Sequence, residues 1–248
     1  GRISQVDHRH EYSPFLVIRT LVLIVQTVAA RPVAVYRTTV LNLGYAAPVV
    51  DRSETRARMI EAASRLLRRD GYAATGLRAV VAEAGTPWGS AHHCFPGGKE
   101  ELAVAAIRHG GTQVLGALEH ALAEGTDLAD SVRRWFALTG HNLAASDYLD
   151  GCPVAVVALE VTPGSDQLAD ACAAEVRGWT SRLGQALVQA GFSAQRSEEL
   201  ATVVVSGLEG ALLVARLSRN TSALTVTADA MASLLQCPGA PTGNENGF

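Results

Sequence analysis

Aromatic side chains and paired cysteines are both scarce in this sequence of 248 residues. Aromatic residues make up only 5% of the chain while hydrophobic residues make up 48%, so the core must be built mainly from Ala, Val and Leu. Such a core suits close-packed helices better than a β-sandwich. The four cysteines contain no CxxC pair, which argues against a zinc site or a disulfide framework and favours reduced thiols.

Catalytic and metal-binding motifs are missing as well. We find no phosphate-binding loop, nucleophile elbow, HExxH motif or paired-carboxylate site. The adjacent pair His92 and His93 would point in diverging directions on a helix and cannot converge on one metal ion. We therefore expect no enzymatic activity, no cofactor and no metal site.

The most apolar segment, residues 15–30, is interrupted by Arg19 and leaves a run too short to span a bilayer. Basic residues precede it and Val28-Ala29-Ala30 resembles a cleavage site, so a signal peptide fits somewhat better. A secreted or membrane-tethered helical protein is therefore one alternative. The favoured interpretation is that residues 1–50 are an N-terminal extension of doubtful relevance to a cytoplasmic protein.

Charge is distributed unevenly along the chain, whose net charge is −3. Residues 1–50 carry five Arg against two acidic residues, and residues 51–110 carry nine Lys and Arg against seven acidic residues. Residues 111–248 carry seven basic residues against fifteen acidic ones. Only the first 110 residues are suited to approach phosphate, and the acidic remainder must point away from DNA.

A first helix is predicted from Ser53 by apolar residues at steps of three and four, with Ser53 as its cap and Gly71 as its stop. The apolar positions are Met59, Ile60, Ala63, Leu66 and Leu67. Glu54 favours the positive end of this helix, and Arg68 and Arg69 favour its negative end.

A second, short helix is predicted after Thr75, which can cap it, and Gly85 ends it. Its apolar face consists of Leu77, Val80, Val81 and Ala84. Thr86 can cap a third helix with Pro87 at its first position, where a missing N–H costs nothing. Two short helices separated by a glycine turn form a helix-turn-helix, whose second helix can enter the major groove of DNA.

Position by position, this region resembles the signature of the TetR family. The matching runs are Gly71-Tyr72 with Thr75-Gly76-Leu77-Arg78, then Glu83-Ala84-Gly85-Thr86-Pro87-Trp88-Gly89-Ser90, then Phe95-Pro96-Gly97-Gly98-Lys99-Glu100-Glu101-Leu102. The double glycine before Lys99 and the run Gly151-Cys152-Pro153-Val154-Ala155 resemble the LmrA/YxaF-type branch, whose members are ligand-released repressors.

The resemblance implies which residues contact DNA. Arg78 falls near bases or phosphate, Trp88, Gly89 and Ser90 fall on the base-facing side of the recognition helix, and Lys99 matches a lysine that clamps phosphate. Trp88 has two interpretations, as a residue that contacts bases or as a packing residue. The full predicted DNA-binding set is Thr75, Arg78, Thr86, Pro87, Trp88, Gly89, Ser90, His92, His93 and Lys99.

The rest of the chain predicts amphipathic helices separated by turns. Gly110 and Gly111 are expected to close the fourth helix, and the later helices are predicted near 112–124, 127–144, 153–161, 165–190, 194–217 and 222–236. A ligand cavity is predicted between the earlier helices of this domain. Its candidate residues are Trp135, Phe136, His141, Cys152 and Trp179.

The TetR-family resemblance implies that the last two helices pair with those of a second copy. Two groove-reading helices also require a twofold dimer. The candidate interface residues are Val204, Leu208, Ala211, Leu212, Met231 and Leu235. An internal core alone predicts the same periodicity, and the sequence leaves both interpretations open.

Together these observations predict an all-α protein with an N-terminal helix-turn-helix module and a C-terminal helical domain for ligand binding and dimerisation. The predicted segments are an extension at 1–50, the DNA-binding domain at 51–110, the effector and dimer domain at 111–237 and a disordered tail at 238–248. The expected partners are an operator in double-stranded DNA, a small-molecule effector and a second copy. The expected function is repression that the effector relieves, with activation as an alternative.

Overall fold

The computed structural model describes residues 51–161 and 165–236, so the predictions for residues 1–50 and for the tail lie outside the described residues. The described residues form nine α-helices and no strand, which confirms the all-α prediction. These helices are α1 (Arg52–Ala74), α2 (Leu77–Glu83), α3 (Gly89–Cys94), α4 (Gly98–Glu124), α5 (Leu128–Ala145), α6 (Ala155–Glu160), α7 (Asp166–Gln189), α8 (Ala194–Ser218) and α9 (Ser222–Leu234).

Four helices begin at a side chain that accepts a hydrogen bond from a free backbone N–H of the first turn. Asp51 caps α1 through the N–H of Ser53, and Asp127 caps α5 in the same way. Ser165 caps α7 and Ser193 caps α8. These local bonds explain why the helices start at these positions, since the first N–H groups of a helix have no intrahelical acceptor.

Three predicted caps are wrong. Ser53 lies inside α1, because Asp51 accepts the bond two residues earlier. Gly76 precedes α2, and the hydroxyl of Thr75 instead donates to the carbonyl of Gly71 at 2.6 Å. The first residue of α3 is Gly89, so Thr86 precedes its helix by too many residues to cap it.

Gly71 interrupts α1 as a kink. Its φ of 81° lies in the region that favours glycine, and one more helical turn follows it as far as Ala74. The carboxylate of Glu160, at the end of α6, accepts the N–H of Ala73 at 2.7 Å. The end of α1 is therefore held by a side chain of α6.

The prediction that Gly110 and Gly111 close the fourth helix is also wrong, because α4 continues through both to Glu124. A Cβ on Gly110 would lie 2.6 Å from Cγ of Pro153. The carbonyl of Gly111 accepts a hydrogen bond from the indole of Trp179 at 3.0 Å. These glycines allow close approach of neighbouring segments, and α4 crosses the predicted domain boundary as one helix of 27 residues.

The bounds predicted for α5, α7, α8 and α9 agree with the structure to within two residues at each end. The helix α4 packs against α1, α5 and α7, and α8 packs against α7 and α9. The largest buried side chains of this core are Trp135, Trp179, Phe95, Phe136, Met59, Leu67 and Ile107. Helices and few aromatic residues are thus sufficient to form a continuous core.

The close contact at Gly110 predicts that the variant Gly110→Ala is less stable than the parent, although alanine is the better helix former by about 1 kcal/mol. The added Cβ would overlap the rigid ring of Pro153. Gly116→Ala in the same helix is the matched control, because nothing lies within 4 Å of its Cβ position. Thermal unfolding should show a lower Tm for the first variant and an equal or higher Tm for the second. A higher Tm for both would contradict the packing argument.

Candidate DNA interface and effector cavity

The turn between α2 and α3 is held by an arginine of α1. Gly85 lies in this turn with a φ of 59°, and the guanidinium of Arg58 donates to the carbonyls of Ala84 at 2.6 Å and Gly85 at 3.0 Å. These carbonyls follow the end of α2, where intrahelical donors are lacking. The sequence pattern contained no signal for this role of Arg58, because its partners are backbone atoms 26 and 27 residues away.

An outward-facing cluster connects the two short helices. Trp88, just before α3, is 46% exposed. The guanidinium of Arg78 on α2 lies 5.7 Å from the ring centroid of Trp88, and the ring of His92 lies 6.2 Å away at 85°. A charged, a planar and a polar side chain are therefore presented together at the surface of the helix-turn-helix. Such a set can contact phosphate and the edges of bases.

The remaining predicted positions on α3 and just before it are also accessible. Pro87, Gly89 and His93 are exposed, and Ser90 is half-buried. The backbone carbonyl of His93 accepts a hydrogen bond from Arg52 at the start of α1. The helix α3 thus presents its outer face to solvent while its inner face packs on α1.

Two threonines of the predicted DNA-binding set are buried, which corrects the prediction for them. Thr75 is committed to the bond with Gly71 described above. The hydroxyl of Thr86 is buried and has no hydrogen-bond partner among the described residues. Neither side chain is placed to contact DNA in this structure, because both point into the packing between helices.

Lys99 lies in the first turn of α4 and is half-buried. Its ammonium lies 4.2 Å from the ring centroid of Tyr72 and donates to the carbonyl of Ala73 at 3.4 Å. Burial, and to a lesser extent the charge of Glu100, raises the pKa of Tyr72. The ammonium therefore also binds the end of α1, and its predicted role at phosphate stays a prediction.

A cavity of about 540 Å³ lies among α1, α4, α5, α8 and the loop before α6. Trp135 and Cys152, two of the predicted effector residues, are part of its wall. Other wall residues are Arg68, Gln113, Leu208 and Glu209. The volume lies within the range of ligand sites for small molecules, and the wall combines apolar side chains with a few polar groups, as such sites do.

The other three predicted effector residues lie elsewhere, which corrects that set. Phe136 and His141 line a separate cavity of about 430 Å³ between α5 and α9. Trp179 is buried, and its indole N–H donates a hydrogen bond to the carbonyl of Gly111. Adjacent residues such as Trp135 and Phe136 point to different sides of α5, so the predicted five cannot line one cavity.

The charged residues of the cavity wall were missed in the sequence. Arg68 comes from α1, ahead of the predicted effector domain, and its guanidinium donates to the side-chain carbonyl of Gln113 at 2.8 Å. Glu209 comes from the core helix α8, and burial raises the pKa of its carboxyl although the thiol of Cys152 opposes this by hydrogen bonding. Burial also raises the pKa of Cys152 well above the usual thiol value, so this thiol is a poor nucleophile.

The predicted dimer residues are largely part of the chain's own core, which corrects that prediction. Val204, Leu208, Ala211, Leu212 and Leu235 are buried, and Met231 is half-buried. The opposite face of α8 is exposed and apolar. Its large residues are Val203, Leu213, Val214 and Leu217, and Val226 of α9 is exposed as well.

Two family models match the chain. The model for bacterial regulatory proteins of the tetR family matches residues 59–106, and the model for the LmrA/YxaF-like transcriptional regulator C-terminal domain matches residues 129–230. The first range contains the helix-turn-helix and the second contains most of the cavity wall. Fold and motifs together define a helix-turn-helix transcriptional regulator.

Curated relatives agree with the family models. The chain is 30% identical over 183 residues to the HTH-type transcriptional regulator LmrA of Bacillus subtilis, covering 74% of this chain and 97% of that protein. It is 28% identical over 191 residues to the HTH-type transcriptional regulator YxaF of the same species, covering 77% and 100%. The chain belongs to the TetR family, in its LmrA/YxaF-like branch.

The fold also matches a solved structure, a regulatory protein TetR from Rhodobacter sphaeroides, with a TM-score of 0.65. The sequences are 23% identical, and the match covers 72% of this chain and 97% of that one. Regulators of this family bind DNA, and most are repressors. Members of this family are generally cytoplasmic, usually act as homodimers with small-molecule effectors, and are generally not enzymes.

Glu209 generates a prediction about stability and pH. Because the pKa of its carboxyl is raised in the folded chain, the folded state keeps a proton that the unfolded state has released, and stability falls as the pH rises above the usual value of 4.5. Glu209→Gln should therefore raise Tm at pH 7.5, with a gain that shrinks toward pH 4.5.

The control for this measurement is Glu198→Gln on the same helix, where the side chain is exposed and the change in stability should stay within about 0.5 kcal/mol. A lower Tm for Glu209→Gln at pH 7.5 would show that the ionised carboxylate is stabilised by the folded protein, contrary to the argument.

Proposed function

We propose that this chain is a transcriptional repressor that binds a palindromic operator as a homodimer and is released from it by a small-molecule effector. The observation that carries the proposal is the continuity of α4. Its first turn holds Lys99 beside the helix-turn-helix, and Gln113, Val114 and Ala117 of the same helix line the cavity. At 1.5 Å per residue this helix is about 40 Å long, so a shift at the cavity displaces the DNA-binding end.

Coupling of this kind works in both directions. A ligand that favours one position of α4 weakens DNA binding, and DNA weakens ligand binding by the same factor. If the two copies of α3 change their separation, they no longer fit successive turns of the major groove. The proposed release therefore needs a dimer as well as a cavity.

The dimer is supported by the composition of α8, which is apolar on both faces. A helix that is hydrophobic all round is buried on all sides in its working state. Its inner face is buried in the chain, and Ser206 and Gly210 on the outer face would let a second helix approach closely. By length and composition α8 is also apolar enough to cross a membrane, and a core helix that also forms a dimer contact has this composition.

The DNA proposal is tested by recovering the sequences that the purified protein retains from its own promoter region and titrating them across salt. Lys99→Ala should weaken binding to operator and to scrambled DNA about equally and lower the salt slope by about one charge unit. Ser90→Ala or Trp88→Ala should leave the slope unchanged and reduce discrimination at particular base pairs by about 1–3 kcal/mol.

Arg133→Ala is the control for lost positive charge, because Arg133 lies on α5 and pairs with Asp229. The salt dependence of DNA binding by this variant should equal that of the parent. A normal slope together with a lower Tm for Lys99→Ala would restrict Lys99 to holding the end of α1. A lower Tm with intact specificity for Trp88→Ala would make the indole a packing residue.

The dimer proposal is tested by Leu217→Arg, which places a charge on the outer face of α8 where the leucine is 77% exposed. Sedimentation at micromolar concentration should show a dimer for the parent and a monomer for this variant, because a charge buried in an apolar interface is costly. Leu159→Arg on α6 is the matched control, since Leu159 is 82% exposed and lies outside that face. A dimer of unchanged stability for Leu217→Arg would exclude this face as the interface.

A further inference from the structure

The cavity of about 540 Å³ contains two opposite charges that the chain does not pair. Among the described residues, Arg68 and Glu209 form no ion pair with any other side chain. Arg68 has one hydrogen bond, to Gln113, and its Nε is buried without a partner. The pKa of the neighbouring Arg69 is raised mainly by Asp70 and also by the charge of Asp150, which lies on the cavity wall.

Charges without an ion partner on a partly apolar wall cost stability, because the hydrogen bonds of Arg68 to Gln113 and of Glu209 with the Cys152 thiol replace only part of the lost hydration. The raised pKa of Glu209 reflects this cost. Ordinary packing does not explain why both groups are present, since an apolar side chain of similar volume would be the more stable choice at either position. A bound molecule with complementary groups would explain both.

We propose that this cavity binds a small, mostly apolar molecule that carries an oxyanion for Arg68 and, at a separate position, a hydroxyl or ammonium donor for Glu209. The apolar body packs against Trp135, Leu143 and Leu208. The inference rests on the proposed function in taking this cavity as the effector site. Its own content is the chemical class of the effector and the residues that select it.

The contact with Arg68 reaches the DNA-binding unit directly. The carbonyl of Arg68 accepts a hydrogen bond from the N–H of Gly151, in the loop before α6, at 2.8 Å. The carbonyl of Arg69 accepts one from the guanidinium of Arg216 on α8 at 3.1 Å, so the loop and α8 are both attached to the same turn of α1. Arg58, which holds the helix-turn-helix turn, lies on the same helix about 15 Å away. The ligand therefore acts on that turn through α1 in addition to α4.

The test uses four naphthalene probes of similar size with the full chain, measured by titration calorimetry. These are 6-hydroxy-2-naphthoate, 2-naphthoate, 2-naphthol and 2-naphthylmethylammonium. The first should bind roughly tenfold or more tightly than any of the three singly substituted probes, because it satisfies both charged residues. Absence of binding by 6-hydroxy-2-naphthoate, or binding of this probe no tighter than that of the singly substituted probes, overturns the assignment.

A variant of Arg68 then assigns the contact with the oxyanion. Arg68→Gln should weaken both naphthoates roughly tenfold to hundredfold and leave 2-naphthol unaffected, which also shows that the cavity is still folded. Arg69→Gln is the matched control, because that arginine is exposed on the next position of α1, and it should bind all probes as the parent does. Equal losses for all probes in Arg68→Gln would mean a structural role only and would overturn the assignment.

Two further measurements separate this inference from the proposed function. Operator anisotropy with 6-hydroxy-2-naphthoate reports release: the expected charge preference without release would leave the ligand class intact and contradict the effector mechanism. Release of operator by a molecule whose binding does not depend on Arg68 would support the effector mechanism and contradict the proposed ligand class. Amide hydrogen exchange at Ala84, Gly85 and Thr86 should change when the probe binds, and no change would overturn the α1 route.

Discussion

The close approach of the Pro153 ring and the Trp179 indole to the middle of α4 is the contact on which the architecture depends. It requires Gly110, because a Cβ there would lie 2.6 Å from Cγ of the Pro153 ring, while the Trp179 indole donates to the backbone carbonyl of Gly111. Because these glycines carry no side chain, the loop before α6 and the helix α7 can both pack against α4. One uninterrupted helix can therefore be part of the helix-turn-helix unit at one end and part of the cavity wall at the other.

The first helix has a similar double role. Near its middle, Arg58 donates to the carbonyls of the helix-turn-helix turn, and near its end Arg68 is part of the cavity wall. Beyond the kink at Gly71, Glu160 of α6 accepts the N–H of Ala73. The helix-turn-helix and the cavity are thus connected by α1 and α4, which pack against each other. A displacement of one of these helices therefore shifts the other.

Two features lower the stability of the isolated chain, and both lie at sites to which the proposed function assigns a binding partner. The carboxyl of Glu209 is half-buried at the cavity, and this burial raises its pKa, so its ionised form weakens the fold at neutral pH. The exposed apolar face of α8 is likewise unfavourable for an isolated chain in water. A ligand in the cavity and a second copy on α8 would each compensate one of these costs.

Local patterns were enough to predict most helices and the helix-turn-helix, because a helical period and a turn glycine depend on residues close together in the chain. The bounds of α5, α7, α8 and α9 agree with the structure for this reason. The TetR-family resemblance was likewise visible, since its motif is a continuous stretch of sequence.

The tertiary structure decided what depends on residues far apart in the chain. Gly110 resembles a helix stop until Pro153 is placed against it, and Arg68 resembles a charge at a helix end until the cavity forms beside it. The helix α8 is apolar on both faces, so periodicity could not tell which face the chain buries itself. Only packing assigned Leu208 to the core and Leu217 to the surface, because burial is a property of the neighbours that folding brings together.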